Sequence, residues 1–225
     1  MIAPLRLNAD LSERAVVYAG EMDWQPSPSP TVWRKRFFLD GPTEAGRVTS
    51  IVRYDPGSAF PPHGHPDGEE ILVLDGAFCD EHGEYPAGTY LLNPDGTSHA
   101  PAAPDGCTLF VKLRQYAGAG RMRVRMNTRV LQWQPRGAPG VWHKPLHRQG
   151  GQRDWTALVK FEPGAETPPH THPGGEETYV VDGSVEDDDG VYPAGTWFRC
   201  PAGSAHTLRS AGGAVVYLRF GGLGA

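Results

Sequence analysis

The chain has 225 residues, enough for one large domain or two small ones, and a formal net charge of −5 at pH 7. Its longest basic run, Arg34-Lys35-Arg36, argues against a nucleic-acid surface, and no apolar run approaches the roughly 20 residues of a membrane span. The three cysteines are scattered and odd in number, which argues against a disulfide framework; with no secretory pattern at the N-terminus, the expected location is the cytoplasm.

Gly (29) and Pro (22) sit between short apolar runs, the pattern of a turn-rich all-β protein. Taken in order, Ala9–Val17 is the best helix candidate, with Asp10 or Ser12 as its N-cap. Val32–Leu39 and Arg47–Tyr54 read as strands, the second followed by an Asp-Pro-Gly turn. Glu69–Leu74 reads as a strand closed by a hairpin signal at Asp75-Gly76, followed by Ala77–Asp80, Thr89–Leu92 and Thr108–Gln115. Beyond these come Val130–Trp133, Thr156–Phe161, Glu177–Val181, Ser184–Asp187, Thr196–Arg199 and Ala214–Phe220. So many short strands at regular spacing predict a barrel or a sandwich.

The strands repeat. His63 and His170 lie 107 positions apart, and the same offset carries His65 to His172, Glu69 to Glu176, Gly76 to Gly183, Asp80 to Asp187 and His99 to His206. Upstream the offset becomes 109, relating Trp24-Gln25-Pro26 to Trp133-Gln134-Pro135, with an indel placed in the Gly41–Gly46 turn. The expected domains are therefore residues 1–118 and 119–225.

Within each copy, two histidines two apart on a strand share a face, and a turn through Gly68 can return a carboxylate to the same point. A further histidine follows 30 residues after that carboxylate, at His99 and at His206. Three neutral imidazoles and one carboxylate suit a divalent ion such as Zn, Fe, Mn or Ni. The expected metal sites are His63, His65, Glu69 and His99, and His170, His172, Glu176 and His206. Glu70 and Glu177 compete for the carboxylate role; the spacing favours Glu69 and Glu176. Around a six-coordinate ion four protein ligands leave positions open for substrate or oxygen; around tetrahedral zinc they leave none.

The pattern Gly57-x5-His63-x-His65-x3-Glu69-x6-Gly76, followed by Gly88-x5-Pro94-x-Gly96-x2-His99, resembles the two cupin motifs, and Gly164 to His206 repeats both. Ala103 and Ser210 stand where the family usually has Asn. The wording GGEETYVVDGSVEDDDGVYPAGTW is most similar to the cupin domain of ChrR-type anti-sigma factors. The resemblance implies two tandem double-stranded β-helix (jelly-roll) barrels, one metal ion per barrel, a small-molecule ligand and a homodimer. It implies two functions: a metal-dependent enzyme of dioxygenase type acting on a small oxygenated molecule, or a regulatory sensor. ChrR-type proteins hold their sigma factor with a separate helical zinc domain. Residues 1–46 contain no His or Cys and read as strands of the first barrel, so sigma-factor binding is not expected.

Other residues carry weaker expectations. His143 and His147 either line the second pocket or sit on an edge strand; His82 and Asp187-Asp188-Asp189 read as solvated hairpin ends rather than a calcium loop. Phe60, Tyr90, Phe110, Tyr179, Trp197 and Tyr217 are candidate pocket walls or plain core, and Cys79, Cys107 and Cys200 read as inert thiols.

Overall fold

The computed structural model describes residues 6–223, and among them the only helical turns are the short 3₁₀ pieces Ala19–Glu21 and Thr128–Val130. The rest is antiparallel sheet in two compact units. Each unit has the same plan. In the first, the main sheet runs Arg6–Leu7, Val32–Asp40, Arg47–Tyr54, Cys107–Leu113, Glu69–Asp80, Thr89–Asn93 and Val124–Asn127. Shorter strands face it: Ser58–Ala59 pairs with Ala102–Ala103, and Gly83–Pro86 with the end of Glu69–Asp80. Ile71, Val73, Phe78, Leu91, Leu109 and Val111 fill the space between. In the second unit the order is Gln134–Arg136, Ala138–Arg148, Trp155–Phe161, Ala214–Phe220, Glu176–Asp187, Thr196–Cys200 and Ala15–Tyr18, over a core that includes Val159, Val180, Val185, Phe198 and Val216. These are two jelly-roll barrels in tandem, as the repeat predicts.

The outermost strand of each main sheet comes from the leading segment of the other copy. Ala15–Tyr18 pairs with Thr196–Cys200 in the second unit, and Val124–Asn127 pairs with Thr89–Asn93 in the first. Accordingly, Asp10–Met22 belongs with the second unit and the chain through Val130 with the first.

Three expectations need correction. Ala9–Val17 is a turn and a strand, not a helix: Asp10 Oδ1 accepts hydrogen bonds from Ser12 N (3.0 Å) and Ser12 Oγ (2.6 Å), and Ala15–Tyr18, with its β-branched Val16-Val17, completes a sheet edge. Val130–Trp133 is not a strand; Asn127 Oδ1 accepts from Arg129 N in a 3₁₀ turn and the strand begins at Gln134. Asp75-Gly76 does not close a hairpin. Glu69–Asp80 runs through it and passes from one sheet to the other, with a shift of register against Cys107–Leu113 at that point. Gly76 has φ 70°, and a Cβ there would lie 2.3 Å from Gly106 O; at Gly183, also φ 70°, it would lie 2.1 Å from Gly213 O. Only glycine fits this crossing.

Candidate metal centres

In the first unit the cluster is assembled by a short ladder and a turn. His63 and His99 are direct cross-strand partners. His65 follows, its backbone N–H donating to Thr97 O at 2.9 Å, and a turn with Asp67 (φ 55°) and Gly68 (φ 77°) in the left-handed region leads to Glu69. A Cβ at Gly68 would lie 2.8 Å from Tyr116 Cβ, so the turn needs its glycine for space as well as conformation. Ring centroids are 5.4 Å apart for His63 and His65, 5.0 Å for His63 and His99, and 4.5 Å for His65 and His99. Glu69 Oε2 lies 3.4 Å from His65 Nε2 and 3.6 Å from His99 Nε2. One nitrogen or oxygen from each of the four lies within 4.8 Å of the others, and the same holds for His170, His172, Glu176 and His206.

The far side of each ring fixes its tautomer. His63 Nδ1 is 3.0 Å from Pro61 O, which can only accept, so Nδ1 carries the hydrogen and Nε2 the lone pair. Thr97 donates its hydroxyl hydrogen to Pro94 O at 2.7 Å and therefore accepts from His65 Nδ1 at 2.9 Å. His99 Nδ1 faces Asp80 Oδ2 at 3.4 Å, and Asp80 is itself held by Tyr85 Oη at 2.9 Å. The second unit repeats two of these: His170 Nδ1 to Pro168 O at 3.0 Å, and His206 Nδ1 to Asp187 Oδ2 at 3.3 Å, with Tyr192 Oη donating to Asp187. There Arg14 adds an ion pair to Asp187 at 2.7 Å, while His172 turns Nδ1 toward Glu176 Oε2 at 3.4 Å.

The two carboxylates are supported differently. Asn93 Nδ2 donates to Glu69 Oε2 at 3.0 Å; at the corresponding place in the second unit stands Cys200, and Glu176 accepts instead from Thr178 Oγ1 at 3.2 Å. Burial pushes the Glu69 carboxyl up to about 7 against the pull of the Asn93 amide. Burial acts upward on Glu176 too, but the His172 contact and the surrounding imidazoles leave its carboxyl below the usual range. Burial drives His65 down to about 3 and His99 to about 4, so both rings are neutral at ordinary pH. His65 Nε2, His172 Nε2, His206 Nε2 and Glu176 Oε2 are buried with no hydrogen-bond partner among the described residues. Buried ligand atoms without donors, in clusters of three imidazoles and one carboxylate each, fit a divalent cation.

Glu70 and Glu177 point elsewhere: Glu70 accepts from Tyr90 Oη and Tyr116 Oη, and Glu177 lies 3.6 Å from Arg219 Nη1. His143 and His147 lie off the second cavity. Of the six candidate wall aromatics Phe60 lines the first cavity; the other five are buried and line neither this cavity nor the one beside His170. Cys200 is buried with its thiol pushed up to about 12 by that burial, and touches His206 at Nδ1, the nitrogen facing Asp187. The acidic hairpin end is solvated at Asp188 and Asp189, and it is also ion-paired: Arg14 reaches Asp189 at 2.8 Å and Arg209 reaches Asp188 at 3.3 Å. The sequence assigned no role behind the ligands to Asp80, Asp187, Thr97, Thr178 or Arg14; the signal for the first two was present, since they match at the 107 offset.

The first cluster opens into a cavity of about 680 Å³ walled by Val48, Val52, Tyr54, Ile71, Leu109 and Val111. At its mouth Arg34 pairs with Glu44 through two bonds of 2.8 Å, and Arg36 reaches the same carboxylate at 3.2 Å. The second cluster borders a cavity of about 540 Å³ at His170 and His172.

The family model described as the ChrR cupin-like domain matches this chain twice, at residues 12–117 and 121–223. Solved structures share the fold at low identity. A candidate dioxygenase from Nostoc punctiforme is 15% identical, with a TM-score of 0.77 over 97% of this chain and 93% of that one. The Escherichia coli pirin YhhW, solved with nickel(II), is 15% identical with a TM-score of 0.70 over 93% and 99%. Bacillus subtilis oxalate decarboxylase, studied for its Mn(II) centres, is 15% identical with a TM-score of 0.65 over 92% and 76%. No curated protein sequence matches the chain.

Proposed function

The chain belongs to the family of ChrR cupin-like domains, and from that premise we propose that it is a bicupin, duplicated in sequence as 1–118 and 119–225, that holds one divalent metal ion in each unit. The ligands are His63, His65, Glu69 and His99 in one, and His170, His172, Glu176 and His206 in the other. The observation that carries this is the convergence, in each unit, of three imidazole nitrogens and one carboxylate oxygen within 4.8 Å. Metal analysis of the wild type and of single His→Ala variants in each cluster tests it.

For the first unit we propose an oxidation of dioxygenase type on a small oxygenated molecule with an apolar body. The apolar cavity beside the cluster and the likeness to a candidate dioxygenase support that choice. Such an ion, Fe, Mn, Ni or Zn, would supply Lewis acidity and a template for substrate. The protein's own residues prepare the place. Pro61 O, Thr97 and Asp80 hold the three imidazoles in one tautomer and orientation. Asn93 fixes the Glu69 carboxylate, and the aliphatic walls keep water from the substrate face. Oxygen uptake by the iron-loaded protein, measured with a panel of diketones and phenols, tests this step; no uptake with any of them would remove the enzyme reading.

The family name supports a second reading, a regulatory metalloprotein that senses through its cupin units. The two readings differ in metal: redox-active iron or manganese supports catalysis, and zinc at both centres supports sensing. Co-purification with a sigma factor would favour the sensor.

A further inference from the structure

The two copies differ in kind at three positions that line the second cavity. Where the first has Ser27, Val48 and Leu113, the second has Arg136, Trp155 and Phe220. Val48 and Leu113 are cross-strand partners, and so are Trp155 and Phe220. In the second unit the two rings stack at 3.9 Å between centroids and 13° between planes. The Arg136 guanidinium lies over both, 4.8 Å from the Trp155 ring and 5.1 Å from that of Phe220. All three side chains line the cavity that borders His170 and His172.

Arg136 sits at a break in the register between Gln134–Arg136 and Ala138–Arg148, beside Gly137 at φ 70°. Such irregularities re-aim a side chain, and stacking holds a guanidinium in one plane with its N–H edge free. Its polar neighbour is His143 Nδ1 at 3.4 Å, and among the described residues it forms no ion pair with a carboxylate. The arginines of the first cavity differ on this point, because Glu44 occupies both. The Glu176 carboxylate attracts Arg136 only from beyond ion-pair distance, so this half-buried cation, lining a cavity beside a cluster of metal-binding type, keeps N–H groups for an anion from outside.

We propose that the second cavity is a carboxylate-binding site, with Arg136 as the residue that takes the carboxylate and Trp155 and Phe220 as the platform that orients it. A planar fork facing a planar two-oxygen acceptor is the best match for a guanidinium held in this way. The proposal deepens the reading of the second metal centre and rests on it only for what the carboxylate is presented to. The two barrels then divide the work: the first admits an apolar molecule, the second a carboxylate.

Calorimetric titration of the purified protein with benzoate and with benzamide tests this, alongside metal analysis of the same samples. Benzoate is expected to bind, and benzamide to bind about tenfold more weakly or worse. Arg136→Gln should weaken benzoate by about tenfold or more, and Arg136→Lys, which keeps charge and stem but loses the fork, should fall between. Equal affinity for the acid and the amide, or benzoate affinity unchanged in both variants, overturns the proposal. If benzoate binding depends on Arg136 while no metal is found at His170, the carboxylate site stands and the metal reading of that centre fails.

Discussion

Asn93 and Cys200 occupy equivalent positions beside equivalent glutamates, yet the two carboxyls differ for other reasons: burial raises Glu69 despite its Asn93 hydrogen bond, whereas burial of Glu176 is outweighed by the His172 contact and the nearby imidazoles. A metal ion needs the carboxylate ionised and the imidazoles neutral. His65 (about 3) and His99 (about 4) are already neutral above pH 5, whereas Glu69, at about 7, is largely protonated below that value. Metal entering the first centre must therefore displace about one proton below pH 7. Its affinity is predicted to rise about tenfold per pH unit from about 5 to 7 and then level off. Glu176 is held below the usual range, so its titration adds no such step to the second centre. Chelator-competition titrations with zinc across this range check the prediction; a flat profile at the first centre between about pH 5 and 7 would contradict it. At the same scale, Asn93→Ala and Asp80→Asn remove the groups that hold Glu69 and His99, and each should weaken metal at the first centre by about tenfold to a hundredfold while sparing the second. The ligands themselves were legible in the sequence because each appears twice at one interval. Their supporting groups were not, because nothing in the spacing says that the Asp80 arm folds back over His99.

Among the elements, the long strand Glu69–Asp80 positions most of the first site. It begins with Glu69 in the cluster, crosses between sheets at Gly76 and ends with Asp80 behind His99. Gly76→Ala combines a left-handed φ with a clash against backbone, so a loss of about 3 kcal/mol or more is expected in urea denaturation. Gly57→Ala is the control: φ is 79° but nothing lies within 4 Å of the added carbon, so about 1 kcal/mol is expected. Equal losses would show that the crossing is not sterically set. The strand boundaries were mostly readable from alternation and turn residues, and Arg47–Tyr54 and Ala214–Phe220 were readable to the residue. Gly76 was misread because a glycine after an aspartate signals a hairpin locally, while its actual constraint, the Gly106 carbonyl, is distant in sequence. Ala15–Tyr18 was misread for the same reason: its partner is Thr196–Cys200, and no local pattern reports a pairing at that separation.

For the whole molecule, duplication fixed the architecture and then released the copies to diverge. The shared skeleton keeps four chemically identical groups in each unit, and the divergence lies around them: an apolar cavity of about 680 Å³ in one, an arginine over an aromatic stack in the other. The leading segments extend this pattern, since Arg14 reaches Asp187 and so the imidazole of His206 in the second unit. Arg14→Ala is expected to weaken metal at the second centre with little effect on the first, read by the same competition titration. The repeat was visible from the 107-residue offset; the exchange of leading strands was not, because the offset is the same whichever sheet they join. The central claim, that each unit holds its own ion, is tested most directly by metal content per chain in the wild type, His63→Ala and His170→Ala. The prediction is two ions in the wild type and one in each variant, with the fold retained. Metal content unchanged in both variants, or no metal bound to the wild type when supplied, would contradict it.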